Sequence, residues 1–501
     1  MQRRTLAELF EDRGALEPAI ISINPPVAVT YRALDQQVEQ LAGQLSASGL
    51  KRGDCIGTSL PNGLEFLVVF LALARARLVA APFNPAYKSD ELRLSIEHLK
   101  VKALVAHSDD ATARQAATAA GVPQWNPVVS SSGTVSLAGV SRVSGSSDVS
   151  PDPSDDVLFI RTSGTTGKPK VVPLTHSNIL ASALGIASHY RLTAADRSLV
   201  VMPLFHGHGL IGAALSTLSS GGALIVPPRF SASTFWAAFR EHRATWYSAV
   251  PTIHQVLLAR ADSDGAPAQG PRFIRSCSAP LAPAVLRGVE DRFGAPLLEA
   301  YGMTETSHQV ASNPLPPRPH KAGTVGIGTG VELAVIDETG RRLSANARGE
   351  VVVRGPGVMK GYRDNPEANA QSFVDGWFRS GDIGVFDSDG YLALTGRIKE
   401  LINRGGEKIS PTEVEAILME DSAVAEAAVF GVPDPKYGEE VWAAVALKGE
   451  ADQDRLQALC REHLADFKVP KVIRVVPALP RNATGKIDRR AVAALFEPHG
   501  E

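Results

Sequence analysis

The densest concentration of chemically useful residues lies at 162–170, which reads Thr162, Ser163, Gly164, Thr165, Thr166, Gly167, Lys168, Pro169 and Lys170. It follows an apolar run at 157–161 that reads as a strand. Glycines let the backbone curl so that its N–H groups face an anion, and the hydroxyls and two lysines add donors and charge. That combination suits a polyphosphate. It is not a Walker loop, because Gly164 and Gly167 stand too close and Pro169 follows Lys168 where Ser or Thr would open a helix. Further along, Glu305 offers a hard oxygen ligand for a divalent cation, and Asp382 a carboxylate acceptor for hydroxyls. Arg397 adds donors, and Lys486 is a mobile point charge. Taken singly, Asp382 and Arg397 read as a turn residue and a surface charge.

In this order, the segments resemble the signature motifs of the adenylate-forming superfamily, which includes acyl-CoA synthetases, luciferases and peptide-synthetase adenylation domains. The loop from Thr162 to Lys170 looks like its phosphate-binding signature. Tyr301, Gly302, Met303, Thr304, Glu305 and Thr306 match the motif whose Thr and Glu touch the AMP phosphate and Mg²⁺. Ser380, Gly381 and Asp382 match the motif whose Asp bonds the ribose. Residues 396–406 match the hinge, at Lys399, and the ribose-binding Arg397; residues 480–486 match the loop holding the adenylation lysine, Lys486. The resemblance implies ATP, Mg²⁺ and CoA, with a carboxylic acid activated as acyl-AMP and then passed to a thiol. It implies catalysis by Lys486, Thr304 and Glu305, with Lys486 bridging carboxylate and α-phosphate as charge shifts to pyrophosphate. It also assigns Ser278, Ala279 and Pro280 to the nucleotide, with Tyr301, Gly302 and Met303, and Arg404, Gly405 and Gly406 to a CoA channel. Intact Lys486, Glu305 and Asp382 argue against a nucleotide-binding regulator that has lost its activity.

The acid pocket of this superfamily is lined by three segments, here 202–209, 275–280 and 301–308. Glycines in the second would open an apolar tunnel for long or aromatic acids, but Ser276, Cys277 and Ser278 fill that space. A small anionic acid would leave fewer polar donors unpaired than an alkyl chain. His206, Ser276, Ser278 and His308 are therefore the candidate substrate contacts. His208 reads more simply as a loop histidine, and Cys277 as a small filler without the base a nucleophile needs. The His206–His208 pair lacks a third ligand at useful spacing for zinc. Runs at 244–255, 273–279 and 400–411 are similar to the oxalate–CoA ligases of plants and fungi, which implies oxalate as the acid. Glycine at 302 keeps slightly larger acids in play. Ligation of another short or medium-chain acid, fatty or dicarboxylic, stays open, as does a free-standing enzyme that loads a carrier protein.

The elements that must position these residues follow from composition and pattern. A chain of 501 residues, 44% hydrophobic and 21% charged, has a substantial core. With 51 basic against 53 acidic residues it presents no field for nucleic acid or an anionic membrane. Three scattered cysteines form neither a disulfide framework nor a zinc site. The first residues carry acids where a secretory signal would be apolar, so a soluble, cytoplasmic protein without stable membrane association is expected. Helical patterns alternate with short apolar runs up to residue 109, and 133–156, rich in Ser, Asp and Pro, reads as a loop. After Gly323 the pattern turns β-rich, and from Lys399 it returns to α/β on a smaller scale. The expectation is α/β, the adenylating-enzyme fold. Residues 1–397 would form a large N-terminal domain of two α/β subdomains and a small β-barrel, and 398–501 a small mobile α+β domain.

Overall fold

The computed structural model describes residues 4–10, 14–141, 150–162, 169–267, 270–481 and 487–496. Among these, the strands assemble into four sheets. The first runs Val135–Ala138, Gln124–Val129, Ala103–Ala106, Cys55–Ser59, Val79–Pro82, Asp156–Thr162, Lys170–Thr175. Its centre is parallel and its edges are antiparallel hairpins. The strand Val135–Ala138 lies inside the stretch expected to be a loop. Val135 and Leu137 turn inward and Ser136 and Ala138 outward, an alternation too short to read before the hairpin with Gln124–Val129 sets its register.

The second sheet is ordered Ile327–Gly328, His308–Ser312, Leu297–Met303, Phe273–Ser276, Trp246–Ala249, Arg197–Leu199, Ala223–Val226, Pro18–Ser22, Val27–Thr30. Its seven inner strands, from His308–Ser312 to Pro18–Ser22, are parallel except for the antiparallel pairing of His308–Ser312. Four helical segments fill the space between the two sheets: Tyr31–Ser46, Leu64–Arg75, His176–His189 and the π-helical His208–Leu215. Leu64–Arg75 is apolar almost all round, which suits a helix buried on every side. Hydroxyls start two of these helices, Thr30 accepting from the Ala33 amide and Thr175 from that of Asn178. Helices Ala232–Glu241, Pro251–Ala259 and Pro283–Phe293 cover the outer face of the second sheet.

A third, antiparallel sheet joins Glu332–Ile336, Gly349–Arg354, Trp377–Phe386, Phe373–Val374 and Leu392–Arg397. It packs on the end of the second through Tyr301, Val310 and Ala311. The fourth holds Glu407–Ile409, Ile402–Arg404, Gly438–Leu447, Val424–Asp434 and Val472–Val475. Helices Pro411–Leu418 and Gln453–His463 lie on one of its faces and Arg489–Ala494 on the other. Third and fourth sheets meet where the Ser410 and Thr412 hydroxyls both donate to the Thr395 carbonyl, at 2.5 and 3.2 Å. Gly396 makes room for this contact, since a Cβ there would overlap the Ser410 hydroxyl. No helix of the described residues is long and apolar enough to cross a membrane.

Candidate active site

Open α/β sheets bind ligands beyond the carboxyl ends of their parallel strands. In the second sheet those ends are Ala249, Ser276 and Met303, and the candidate residues cluster around them.

Asp382 lies directly opposite Arg397 in the third sheet. Arg397 Nε donates to Asp382 Oδ1 at 2.6 Å, and the Tyr301 hydroxyl donates to Oδ2. The Asp382 amide bonds the Ser380 hydroxyl at 3.0 Å. Gly381, at φ +70°, turns its own amide onto Glu350 Oε1 at 3.1 Å. The carboxylate is buried while the Arg397 side chain keeps 57% of its surface exposed, so the pair presents a reachable guanidinium over a fixed acceptor. Burial, and then the Asp382 charge, push the Tyr301 hydroxyl pKa upward and keep it a donor.

Glu305 sits on the short helical turn Thr304–Thr306. The Tyr362 hydroxyl donates to its Oε1 at 2.8 Å, and Lys170 Nζ lies 4.4 Å from the centre of the Tyr362 ring. Tyr362 thereby ties the Thr162–Lys170 hairpin to the turn that carries Glu305; sequence reading had passed it over. A single oriented carboxylate fits Mg²⁺, which keeps several waters and takes further ligands from phosphates. Thr162 and Lys170 are a register pair closing their hairpin. Ser163, Gly164, Thr165, Thr166, Gly167 and Lys168, like Lys486, lie outside the described residues.

The acid-pocket candidates are less uniform. Ser278, at φ +75°, accepts or donates across 3.1 Å with His208 Nδ1, and His208 Nε2 meets the Ser248 hydroxyl at 2.6 Å. His208 is fully buried in the π-helical segment and stacks on His308 with ring centres 5.2 Å apart, so it is not an exposed loop histidine. Its glycine neighbours hid this. Gly209 and Gly212 let the π-helical segment approach so closely that a Cβ would overlap the Pro203 carbonyl at one and the His308 ring at the other. Burial, followed by Arg275, His308, His206 and His254, holds the His208 pKa well below the usual imidazole range. Behind the two rings lies Arg275, fully buried, which donates to Ser248 at 2.8 Å, His308 Nε2 at 2.7 Å, Gln309 Oε1 at 2.9 Å and the Tyr190 hydroxyl at 3.2 Å. His206 is half-buried at the head of this segment. Ser276 is buried, and its hydroxyl meets no hydrogen-bond partner among the described residues. The room expected at Gly302 is absent, because a Cβ there would run into the His308 carbonyl across the bulged strand pair.

Beside Ala279 and Pro280, the Leu281 amide donates to Glu299 Oε1 at 3.2 Å. Glu299 is buried, and burial pushes its carboxyl up to about 8. Lys399 occupies the turn Ile398–Glu400 between the third and fourth sheets. Arg404 pairs with Glu440 at 2.5 Å and stacks on Tyr437, and Gly405 and Gly406 form the following turn at φ +61° and +96°.

The AMP-binding enzyme family matches residues 8–363, and the AMP-binding enzyme C-terminal domain matches residues 413–486. An oxalate–CoA ligase of Arabidopsis thaliana is 45% identical over 98% of this chain and 97% of its own. A sulfoacetate–CoA ligase of Cupriavidus necator is 37% identical over 98% of this chain and 99% of its own. Among solved structures, ATP-bound MatB from Rhodopseudomonas palustris matches with a TM-score of 0.89 at 31% identity, over 99% of both chains.

Proposed function

The chain belongs to the AMP-binding enzyme family, as an ATP-dependent acid–CoA ligase working through an acyl-adenylate, and we propose that its acid is oxalate. One observation carries this reading. Ser278, His208 and His308 gather at the carboxyl end of the second sheet in front of Arg275, a buried cation whose partners among the described residues are all neutral. A second carboxylate on the acid would offset that charge and accept the Ser278 hydroxyl proton, which an alkyl tail cannot do.

In the first half-reaction a carboxylate oxygen attacks the α-phosphorus of ATP and pyrophosphate leaves, giving oxalyl-AMP. Asp382 and Arg397, steadied by Tyr301, hold the ribose, and the loop from Thr162 to Lys170 cradles the phosphates. Thr304 contacts the α-phosphate, and Lys486 balances the charge developing on either side of phosphorus. Glu305, aimed by Tyr362, would hold Mg²⁺, which supplies charge neutralisation on the triphosphate when bound. In the second half-reaction the CoA thiol loses its proton and attacks the oxalyl carbonyl. AMP departs with the C–O electron pair, leaving the thioester. Residues 398–501 turn about Lys399 between the two steps and bring Arg404, Gly405 and Gly406 to the thiol channel.

A second reading, a two-carbon acid bearing a sulfonate in place of the second carboxylate, draws on the 37% identity to the sulfoacetate–CoA ligase. Pyrophosphate release with ATP, Mg²⁺ and CoA, measured across oxalate, malonate, sulfoacetate, acetate, octanoate and coumarate, tests both. Oxalate should exceed acetate in kcat/KM by roughly 10²-fold or more. A preference for octanoate or coumarate would keep the ligase chemistry and overturn the acid; a preference for sulfoacetate would favour the second reading.

A further inference from the structure

Resting on the reading that a small dianionic acid is held at Ser278, with His208 and His308 behind it, we infer that Arg275 is a positioning residue that fixes the direction of the hydrogen bonds from Ser248 through His208 to Ser278 and thereby sets the site's demand for a second negative charge. Arginine donates and never accepts, so the Ser248 hydroxyl oxygen, 2.8 Å from Nη1, must accept. Ser248 is buried, and its own proton has one acceptor among the described residues, His208 Nε2 at 2.6 Å. The reverse arrangement would strand a buried hydroxyl proton without a partner. His208 therefore carries its proton on Nδ1 and donates it to Ser278 across 3.1 Å. Ser278, having accepted, turns its hydroxyl proton outward to the acid. The same reasoning makes His308 Nε2, 2.7 Å from Nη2, an acceptor and puts the His308 proton on Nδ1.

The result is a one-way relay of polarity from guanidinium to pocket wall. The cation itself is fully buried, yet the groups facing it are uncharged: Ser248 and His308, with Gln309 and Tyr190 on its far side. The charged and titratable neighbours of His208 are Arg275, His308, His206 and His254, and all of them, with burial, oppose its protonation. The pocket thus meets an anion with neutral donors backed by a distant fixed charge, and not with imidazolium.

The test is steady-state kinetics on the full chain with oxalate and acetate from pH 6 to 8.5, for wild type, Arg275→Gln, Arg275→Lys and Ser248→Ala. Wild-type kcat/KM for oxalate should show no loss as pH rises through 6.5. In Arg275→Gln the ratio of oxalate to acetate kcat/KM should fall by about 30-fold or more, through the oxalate KM and not the ATP KM. The oxalate profile of that variant should also steepen toward low pH, since loss of Arg275 lifts one cause of the low His208 pKa while burial, the larger one, stays. Ser248→Ala, a small excision that keeps the cation, should give a partial loss of selectivity with a pH profile parallel to wild type, because burial and Arg275 still oppose protonation of His208. Arg275→Lys should restore selectivity partly, since it returns the charge without the forked geometry. If Arg275→Gln does not fold, Ser248→Ala decides by the ratio of oxalate to acetate kcat/KM, an equal loss on both acids overturning the inference. Equal losses on both acids, with pH profiles parallel to wild type, would overturn the inference and leave Arg275 a purely structural residue. A wild-type enzyme that prefers acetate or octanoate would instead overturn the dianion reading beneath it.

Discussion

The proposed nucleotide end and the proposed acid end of this site treat charge in opposite ways. At the nucleotide end, Asp382 faces Arg397, Glu350 faces Arg379, and Glu305 takes the Tyr362 hydroxyl. Each carboxylate has its partner within the protein, and the Arg397 side chain stays half-exposed and able to share itself with a ligand. At the proposed acid end, Arg275 is fully buried and its partners among the described residues are neutral. Charges paired in advance suit a ligand that passes through several states, here ATP, acyl-AMP and AMP. On the proposed function, a buried cation with no counter-ion among the described residues would favour ligands that bring one, and its cost to the empty protein would become discrimination between acids.

That contrast can be broken or sharpened at single residues. The largest effect is expected from Lys486→Ala, which should slow acid-dependent pyrophosphate release by about 10²–10³-fold while ATP still binds by calorimetry. Normal adenylation by this variant would remove the lysine from the mechanism. Asp382→Asn should raise the ATP KM by roughly 10-fold or more and leave the oxalate KM within about twofold. A matching rise in both constants would erase the distinction between the two ends. Tyr362→Phe deletes one hydrogen bond to a carboxylate, so half-saturation by Mg²⁺ should need ~10-fold more metal at an unchanged oxalate KM.

The smallest effect concerns Glu299. Its carboxyl is raised from an ordinary 4.5 to about 8, so the folded protein retains a proton that the unfolded chain releases. The stability this contributes is whole below about pH 4.3 and is lost as pH climbs toward 8. Glu299→Gln cannot ionise and should gain roughly 2–4 °C in Tm on wild type between pH 5 and 8.5, read by scanning calorimetry. Parallel curves would show that Glu299 does not hold its proton through that range.

The candidates for the nucleotide end stood out in the sequence because they come in local clusters. Hydroxyls, glycines and lysines crowd into 162–170, and Thr304 and Glu305 adjoin Tyr301 in a single run. Alternation of short apolar runs with helical ones was likewise enough to give the α/β class. The acid end was only half legible. Ser278 and His308 were visible as polar residues in the right segments, but Arg275 and Ser248 sit in short buried strands, 27 residues apart, and nothing local tells a guanidinium paired inward from one reaching solvent. His208 was missed because Gly207 and Gly209 beside it look like a loop, whereas they permit a tight buried turn. The supposed space at Gly302 was misjudged for a related reason: what fills it is the backbone of the neighbouring strand, and side-chain lists do not record that.

His308 also constrains how this enzyme can change over evolutionary time. Its ring blocks any side chain at Gly212, and its carbonyl blocks any at Gly302. Two of the positions through which the pocket could be remodelled are therefore closed while His308 stays where it is. Substitutions at 212 or 302 become tolerable only in a background where 308 has already shifted, so the order in which mutations arrive matters more than their number. If the proposed acid is right, a lineage drifting toward bulkier acids would first pass through a variant impaired with its present one, a valley that would hold the enzyme on a small substrate.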